Sequence, residues 1–295
     1  MTSLAVTEVG RIGAVAGQCQ RDLQRWVARY PDLFASGLFD PTTLSTVSLV
    51  HAVSLPGLPA SALRPVMQAT LWAFALDRLF DEAAVTEREI RRIGSRCRAV
   101  AGGQAPGDGD ALTVALADVR DAISEGLGQE LLGAVWRREV SRVLAGMARE
   151  WRWRQQAYRP TVDEYLANAD NLAFCFIFAT HAVGRAGPGT VPVADRLMGA
   201  GRAVQRVVRV LNDLGTHRRD LATGDLNVLE LGESRSAVRR RLRSLTEEAR
   251  RRLAALPDDQ AELAQYLDHH IDFNLGFYAV TDYWGRRVGG RAASA

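Results

Sequence analysis

Residues 209–227 read RVLNDLGTHRRDLATGDLN, and their polar side chains recur at a helical interval. Asn212, Thr216 and Asp220 are each four residues apart, so an α-helix would project all three from one face, roughly 6 Å apart along its axis. An amide, a hydroxyl and a carboxylate supply the hard oxygen ligands that Mg²⁺ prefers, and Mg²⁺ keeps open positions for phosphate. The stretch therefore predicts a helix with a metal-binding face.

The residues around this face fit the same interpretation. The preceding segment VQRVVRVL, residues 204–211, carries the apolar side chains that would bury the helix, and Arg218 and Arg219 lie where a diphosphate could be gripped. A second interpretation stays open. The sequence Asn-Asp-Leu-Gly could end one helix, and the polar residues after it could cap the next.

A second acidic cluster lies upstream in residues 75–84, ALDRLFDEAA. Asp77 and Asp81 are also four residues apart, and the surrounding side chains are apolar and aromatic. Two acidic helix faces can hold one cluster of metal ions and an anion between them. The alternative is a solvated helix end, in which Asp77, Asp81 and Glu82 simply lead into the charged run that follows.

Together the two clusters resemble the motifs of the class I terpene synthases. The family's DDxxD motif reads Asp77-Arg78-Leu79-Phe80-Asp81, and its NDxxSxxxE motif reads Asn212-Asp213-Leu214-Gly215-Thr216-His217-Arg218-Arg219-Asp220. The segment NLGFYAVTDY, residues 274–283, is similar to the family's C-terminal helix, so the resemblance spans nearly the whole chain. It implies an all-α helical bundle around a central apolar cavity. The bundle would form one domain over residues 1–295, with an irregular N-terminal segment and an irregular C-terminal tail from about residue 286.

The resemblance also implies a chemistry. Three Mg²⁺ ions would bind with a prenyl diphosphate, drive loss of diphosphate and leave an allylic cation, which cyclises or rearranges before it loses a proton or captures water. The implied catalytic residues are Asp77, Asn212, Thr216 and Asp220. The implied metal ligands are these four and Asp81, with Glu82 as a further candidate, and the implied diphosphate-binding residues are Arg219, Arg218 and Tyr283.

Several positions depart from the family's pattern. Arg78 replaces the second aspartate of the acidic motif, and Asp220 is shorter than the usual glutamate. The family's diphosphate-sensing arginine should fall in residues 164–171, EYLANADN, where Ala169 and Asp170 occupy the expected positions. The resemblance therefore leaves open which residue senses the diphosphate.

The C-terminal Arg-Tyr pair of the family reads Asp282-Tyr283, with Arg286 or Arg287 as candidate substitutes for the arginine. Short bacterial synthases of the kaurene and terpentetriene type, which act on bicyclic labdane-related diphosphates, often deviate at these places. The resemblance thus favours a diterpene synthase supplied by a separate class II cyclase, and it admits a homodimer. A sesquiterpene cyclase acting on farnesyl diphosphate is the first alternative. A head-to-head prenyl coupling enzyme and an inactive helical homologue also stay open.

Aromatic side chains are the candidates for the cavity wall, because the faces of aromatic rings stabilise a cation. The predicted wall consists of Trp72, Phe74, Phe174, Phe178, Phe277 and Tyr278. In the family the helix corresponding to residues 174–184, FCFIFATHAVG, is broken beside the substrate. We expect His181 on that helix to be a hydrogen-bonded core residue.

Composition agrees with one helical enzyme. Of the 295 residues, 47% are apolar, which is enough for a sizeable core, and the net charge of only +3 does not indicate nucleic-acid binding. The three cysteines have no ligand spacing, so we expect reduced, structural thiols. No apolar run is long enough to span a membrane and no signal peptide is visible, which predicts a cytoplasmic protein. Pro41, Pro56, Pro59 and Pro65 should divide the N-terminal third into short elements.

Overall fold

Helices account for nearly all of the regular structure in the computed structural model. It describes residues 5–35, 37–83, 86–124, 130–185 and 190–283. Over these ranges the chain forms eleven α-helices and no β-strand, which confirms the all-α class. The expected irregular tail from about residue 286, which includes Arg286 and Arg287, lies outside the described residues. No helix in the described ranges is both long enough and apolar enough to cross a bilayer.

The helices follow one another through short connections. Their bounds are α1 Val6–Val27, α2 Pro41–Ser54, α3 Ala60–Arg78, α4 Glu87–Ala101, α5 Ala111–Ser124, α6 Glu130–Gln155, α7 Val162–Ala167, α8 Phe174–Gly184, α9 Thr190–Thr223, α10 Arg235–Ala254 and α11 Ala261–Phe277. Helix α8 is buried almost throughout, because its residues are nearly all apolar, and it packs against α3, α5, α6 and α9. Helix α11 packs against α2, α9 and α10. These contacts surround one central space.

The prolines begin and separate elements, with one exception. Pro41 opens α2 directly after Asp40, whose carboxylate accepts the Thr43 N–H at 2.9 Å as an N-cap. The expected break at Pro65 is wrong, because α3 continues through it to Arg78. Nearly every residue from 66 to 76 is buried, and this packing outweighs the roughly 3 kcal/mol that an interior proline costs.

Helix α9 runs without interruption through residues 212–220, the predicted metal-binding motif. The alternative in which residues 212–220 end one helix and cap another is therefore wrong. Gly215 serves close packing instead, since a Cβ there would lie 3.0 Å from the carbonyl oxygen of Tyr278. The glycine lets α9 and the end of α11 approach each other.

The helix break expected beside residues 174–184 lies just before them. A 3₁₀ turn, Ala169–Leu172, follows α7, and Ala173 then adopts the left-handed region at φ +58° before α8 starts. Gly146 of α6 makes room for this turn, because a Cβ there would lie 2.7 Å from the backbone nitrogen of Asn171. The break therefore depends on a close approach to α6.

Charged side chains of α10 lie on the surface, whereas the three cysteines lie in the core. Helix α10 buries Val238, Ala249 and Leu253, and its arginines lie toward solvent, where Arg241 and Arg250 pair with acidic residues. The basic face of α10 is thus a solvated, ion-paired face. All three cysteines are buried and unpaired, as expected for structural thiols.

Candidate active site

A single cavity collects both predicted motif faces. It has a volume of about 180 Å³, far more than one water molecule needs, and it lies among α2, α3, α6, α8, α9 and α11. Asp77 and Asp81 line it from the α3 side, and Asn212 and Asp220 line it from α9. The two oxygen-bearing faces therefore meet at one end of a common space.

The α3 face reaches the cavity because its residues keep helical spacing. Ala73 and Asp77 are four residues apart on α3, and Asp81 follows in a π-helical turn, Leu79–Ala83. Burial raises the pKa of Asp77 well above its usual value, and the negative charges of Asp81 and Glu150 add to the effect. Burial likewise raises the pKa of Asp81 to about 6, although its ion pair with Arg154 opposes the rise.

Arg78, which replaces an aspartate of the family motif, does not line the cavity. It lies about 100° around the helix from Asp77, and its guanidinium donates to the carbonyl oxygen of Leu33 at 3.3 Å. The departure thus places a cation on the side of α3 that faces the N-terminal region. The side chain of Glu82 lies outside the described residues.

On α9 the three predicted ligands lie together. Thr216 Oγ1 is 2.5 Å from Asp220 Oδ2 and 2.9 Å from the carbonyl oxygen of Asn212, and its one proton can serve only one of them at a time. Asn212 donates from Nδ2 to the Tyr278 hydroxyl at 3.1 Å, which leaves Oδ1 of Asn212 for a cation. Thr216 is buried and does not itself line the cavity, so it contacts the site through Asp220.

Two residues that the sequence analysis missed hold Asp220 and the end of α9 in place. Asn227 donates from Nδ2 to Asp220 Oδ2 at 2.9 Å and to the carbonyl oxygen of Asp213 at 2.8 Å. Asp213 accepts the Val228 N–H at 3.0 Å and the Tyr165 hydroxyl at 3.0 Å. Both residues belong to the stretch 209–227, but local spacing does not show that the chain folds back on α9.

Among the residues that the structure describes, three arginines line the cavity, and of these the sequence predicted Arg219 alone. Arg219 pairs with Asp220 at 3.2 Å and with Asp282 at 3.1 Å. Arg218 is exposed and lies outside the cavity lining, so its predicted contact with diphosphate has no support in this geometry.

The other two arginines come from α6 and from the start of the α9 motif. Arg154 bridges the two sides of the charged end, because it pairs with Asp81 and also with Asp225 at 3.2 Å. Arg209 is buried, stacks on the Tyr165 ring and pairs with Glu150 at 3.5 Å. Arg154 lies in the sequence WRWRQ, residues 151–155, where tryptophan and arginine alternate. This pattern is typical of an ordinary amphipathic helix, so it did not identify Arg154 as a site residue.

The balance of charge at this end fits metal ions. The described lining contains four more acidic than basic side chains: seven carboxyl groups, Asp77, Asp81, Glu150, Asp213, Asp220, Asp225 and Asp282, against three guanidinium groups. Among the described residues, no three histidine, cysteine, aspartate or glutamate side chains converge as a ready-made metal cluster. The oxygen-bearing side chains of the α3 and α9 faces are the residues that would hold Mg²⁺ here, because hard divalent ions prefer oxygen ligands.

At the positions where the family carries its sensing arginine and its Arg-Tyr pair, this chain has aspartates that make structural contacts. Asp170 accepts from Arg142 Nε at 3.0 Å and from Gln205 Nε2 at 2.9 Å, which ties the turn before α8 to α6 and α9. Asp282 is held by Arg219, and Tyr283 lines the cavity, while its binding of diphosphate stays a prediction.

The aromatic wall differs in part from the prediction. Phe74, Phe174 and Tyr278 line the cavity, as does Phe80, which the prediction omitted. Trp72, Phe178 and Phe277 were predicted to line it and do not.

Trp72 donates its indole N–H to the Leu112 carbonyl oxygen at 2.9 Å and packs in the core. Phe178 stacks on Tyr266, and Phe277 packs against Phe273. The prediction failed for these three because proximity to a motif along the chain does not determine which way a helix face points.

Comparison with known proteins places this geometry in a family. The family model for terpene synthase family 2, C-terminal metal binding, matches residues 68–260. A search of curated proteins gave no significant match.

Solved structures share the fold at low sequence identity. The linalool/nerolidol synthase from Streptomyces clavuligerus, in complex with 2-fluorogeranyl diphosphate, is similar with a TM-score of 0.72 and 19% identity over 92% of this chain and 94% of that one. The 2-methylisoborneol synthase from Streptomyces coelicolor A3(2), in complex with Mg²⁺ and geranyl-S-thiolodiphosphate, is similar with a TM-score of 0.69 and 18% identity over 88% and 90%. Because the family model covers more than half of the chain and includes both motif faces, the protein belongs to terpene synthase family 2 and is a class I terpene synthase.

Proposed function

We propose that this enzyme is a Mg²⁺-dependent diterpene synthase. It would ionise a bicyclic, copalyl-type diphosphate, cyclise or rearrange the resulting cation, and release diphosphate. The observation that carries the proposal is the division of the cavity, in which the oxygen ligands of α3 and α9 and three arginines lie at one end and apolar side chains form most of the rest.

The charged end is suited to hold a metal-bound diphosphate. Asp77 from α3 and Asn212, Thr216 and Asp220 from α9 would hold Mg²⁺, with Asp81 as a further ligand, and the family pattern implies three ions. Bound Mg²⁺ supplies positive charge that stabilises the departing diphosphate. Asn227 and Tyr278 orient Asp220 and Asn212, so that these ligands keep their places before substrate arrives.

Arg154 is our candidate for the missing diphosphate-sensing arginine. It reaches the charged end from α6, and its two carboxylate partners come from the two sides that the metal ions would join. In the free enzyme its guanidinium occupies the space between these carboxylates. Its five N–H donors would also serve the oxygens of a diphosphate bound at this end of the cavity.

The apolar end protects the cation. Phe74 and Phe174 present aromatic rings to the cavity, and aromatic faces attract a cation without forming a bond to it. Ile177 and Val208 line the same space and help exclude water, which would otherwise quench the cation early.

The bicyclic substrate is supported by the departures at Asp170 and Asp282, which the resemblance associates with synthases of labdane-related diphosphates. The solved structures described above carry geranyl-type analogues instead. The test is to incubate the purified enzyme with Mg²⁺ and, separately, geranyl, farnesyl, geranylgeranyl and copalyl diphosphates, and to analyse the extracts by gas chromatography with mass spectrometry.

Product from copalyl diphosphate alone supports the proposal. Product from farnesyl or geranyl diphosphate would overturn the diterpene assignment and leave the terpene synthase chemistry intact. A coupled C30 or C40 product would indicate head-to-head coupling. Reactions with chelator, and with Asp77→Asn, are the controls that must give no product.

A further inference from the structure

The apolar end of the cavity contains a polar patch that the proposed ionisation does not use. His51, Thr70, His270 and Asn274 all line the cavity, and each is at most 5% exposed. A hydrocarbon skeleton offers these groups no hydrogen bond, and a buried polar group without a partner costs about 1–3 kcal/mol. Their presence in a cavity for a carbocation therefore requires an explanation.

His51 has both ring nitrogens engaged. Thr70 donates its hydroxyl to the Val66 carbonyl oxygen at 2.9 Å, so the contact of 2.9 Å between His51 Nε2 and Thr70 Oγ1 requires the proton on Nε2. Nδ1 of His51 then accepts, and the Tyr266 hydroxyl lies 3.4 Å from it. His51 is a neutral histidine held by partners on both sides.

Two other histidines surround Tyr266 and differ from His51. The Nε2 atoms of both His181 and His270 are buried without a hydrogen-bond partner. The expectation that His181 is a hydrogen-bonded core residue is therefore wrong at this nitrogen. His181 packs against the Tyr266 ring and does not line the cavity, whereas His270 does. Of these two histidines, His270 is the one that lines the cavity, and its Nε2 lies beneath the cavity surface without a hydrogen bond.

The ring of His270 is fixed by its neighbours. Phe174 and Tyr266 meet it edge to face, with ring centroids 5.3 Å and 4.5 Å away. The backbone around it is equally constrained, because Asn274 donates to the His270 carbonyl oxygen at 2.7 Å. The imidazole therefore keeps one orientation in the cavity wall without a hydrogen bond to any of these residues.

His270 lies far from the diphosphate end. His270, Asn274 and Tyr278 are spaced by four residues along α11 and all line the cavity. Tyr278 contacts Asn212 of the metal face, and eight residues of helix separate it from His270, a rise of about 12 Å. A proton lost near His270 would be beyond the direct reach of the departed diphosphate.

We propose that His270 is the base that ends the reaction, by accepting a proton from the final carbocation. The C–H bond next to the cationic carbon breaks, its electron pair forms the new C=C bond, and the proton forms an N–H bond on the imidazole. The imidazolium returns the proton to solvent when the product leaves. The inference rests on the proposed function, and it assigns the product as an alkene formed at the end of the skeleton remote from the diphosphate.

The electrostatics of the cavity suit this role. Burial lowers the pKa of His270 to about 3, so the ring is neutral at physiological pH and does not repel a cation. A proton on the carbon next to a carbocationic centre is far more acidic than an imidazolium. Even the weakly basic imidazole of His270 can therefore accept this proton. Phe174, in edge contact with the ring, presents an aromatic surface at the same place.

The test compares three variants on whichever diphosphate the wild type consumes. His270→Phe keeps an aromatic ring between Phe174 and Tyr266, His270→Gln keeps a polar side chain without a comparable base, and His181→Phe alters the neighbouring histidine that does not line the cavity. Diphosphate release and product composition are measured together, with thermal unfolding as the check on folding.

We expect both His270 variants to release diphosphate within about threefold of the wild-type rate, because ionisation occurs at the other end of the cavity. The fraction of the wild-type alkene should fall by about 100-fold, with other isomers or alcohols in its place. His181→Phe should keep the wild-type product. If one His270 variant fails to fold, the other decides.

Unchanged product ratios in a folded His270 variant would overturn the assignment while the terpene synthase function stood. Equal changes of the product ratios in His181→Phe would show that the effect arises from core packing, and they would overturn the assignment of His270 as well. Absence of diphosphate release by the wild type with every substrate would overturn the proposed function, and the inference with it.

Discussion

Gly146→Ala tests how α6 positions the cavity wall. Gly146 is buried in α6 against the turn Ala169–Leu172, and a Cβ there would lie 2.7 Å from the backbone nitrogen of Asn171 and 3.1 Å from the carbonyl carbon of Asp170. Both atoms are backbone, so no side-chain rotation relieves the contact. Asn171 and Leu172 line the cavity, so the displaced turn would carry part of the wall with it.

The expected magnitude is a difference of two effects. Alanine is favoured over glycine in a helix by about 1 kcal/mol. Overpacking a tight contact costs about 1–3 kcal/mol, and the backbone contact of Gly146 places it near the upper value. The net expectation is a loss of about 2 kcal/mol in the free energy of unfolding, or a fall in Tm of roughly 4–8 °C.

Gly199→Ala in α9 is the matched control. The nearest atom to a Cβ at Gly199 is Arg252 Nη1 at 4.0 Å, an ordinary contact, so this variant should gain about 0.5–1 kcal/mol. Thermal unfolding followed by circular dichroism gives the stabilities, and product analysis reports the shape of the cavity. If Gly146→Ala proves as stable as Gly199→Ala, with unchanged products, the close approach does not constrain the wall and the reasoning is wrong.

Three further predictions concern the charged end. Asp77→Asn and Asn212→Ala should each abolish turnover. Asp77→Asn should also raise the Tm of the metal-free enzyme at pH 7, because the pKa of Asp77 is higher in the folded than in the unfolded protein, so that the ionised carboxylate destabilises the fold at that pH. An unchanged or lower Tm would contradict this. Arg154→Gln should weaken the binding of inorganic diphosphate with Mg²⁺ by about tenfold or more, measured by calorimetry, and exposed Arg152→Gln, two residues away, should not. Arg78→Asp should change kcat only modestly, because Arg78 contacts the Leu33 carbonyl oxygen outside the cavity, and a large gain in activity would show that the departure from the family motif impairs the enzyme.

Local spacing was sufficient to predict the two oxygen-bearing helix faces, whereas the all-α class was implied by the family resemblance. The interval of four residues from Asp77 to Asp81, and from Asn212 through Thr216 to Asp220, places these side chains on one face of any helix that carries them. Burial of the flanking apolar residues then turns each face inward. For this reason the lining positions of Asp77, Asp81, Asn212, Asp220 and the aromatic Phe74 could be anticipated without knowing the neighbouring helices.

The same information could not show which distant residues complete the site. Arg154 lies 73 positions beyond Asp81 and 71 before Asp225, and only the packing of α6 brings it between them. Asn227 supports Asp220 because the chain folds back after α9, which no repeat in the sequence reveals. Long-range pairs such as these depend on how several helices pack at once.

Sequence alone thus determined which helix faces are polar, apolar or suited to metal ions, because these patterns are set within one or two turns. Tertiary structure alone decided which of those faces meet. It placed Trp72 and Phe178 in the core instead of the cavity, directed Arg218 to solvent, and left His270 in the wall with a buried nitrogen that has no partner. The physical reason is that the direction of a side chain follows from its own helix, whereas its surroundings are supplied by residues far along the chain.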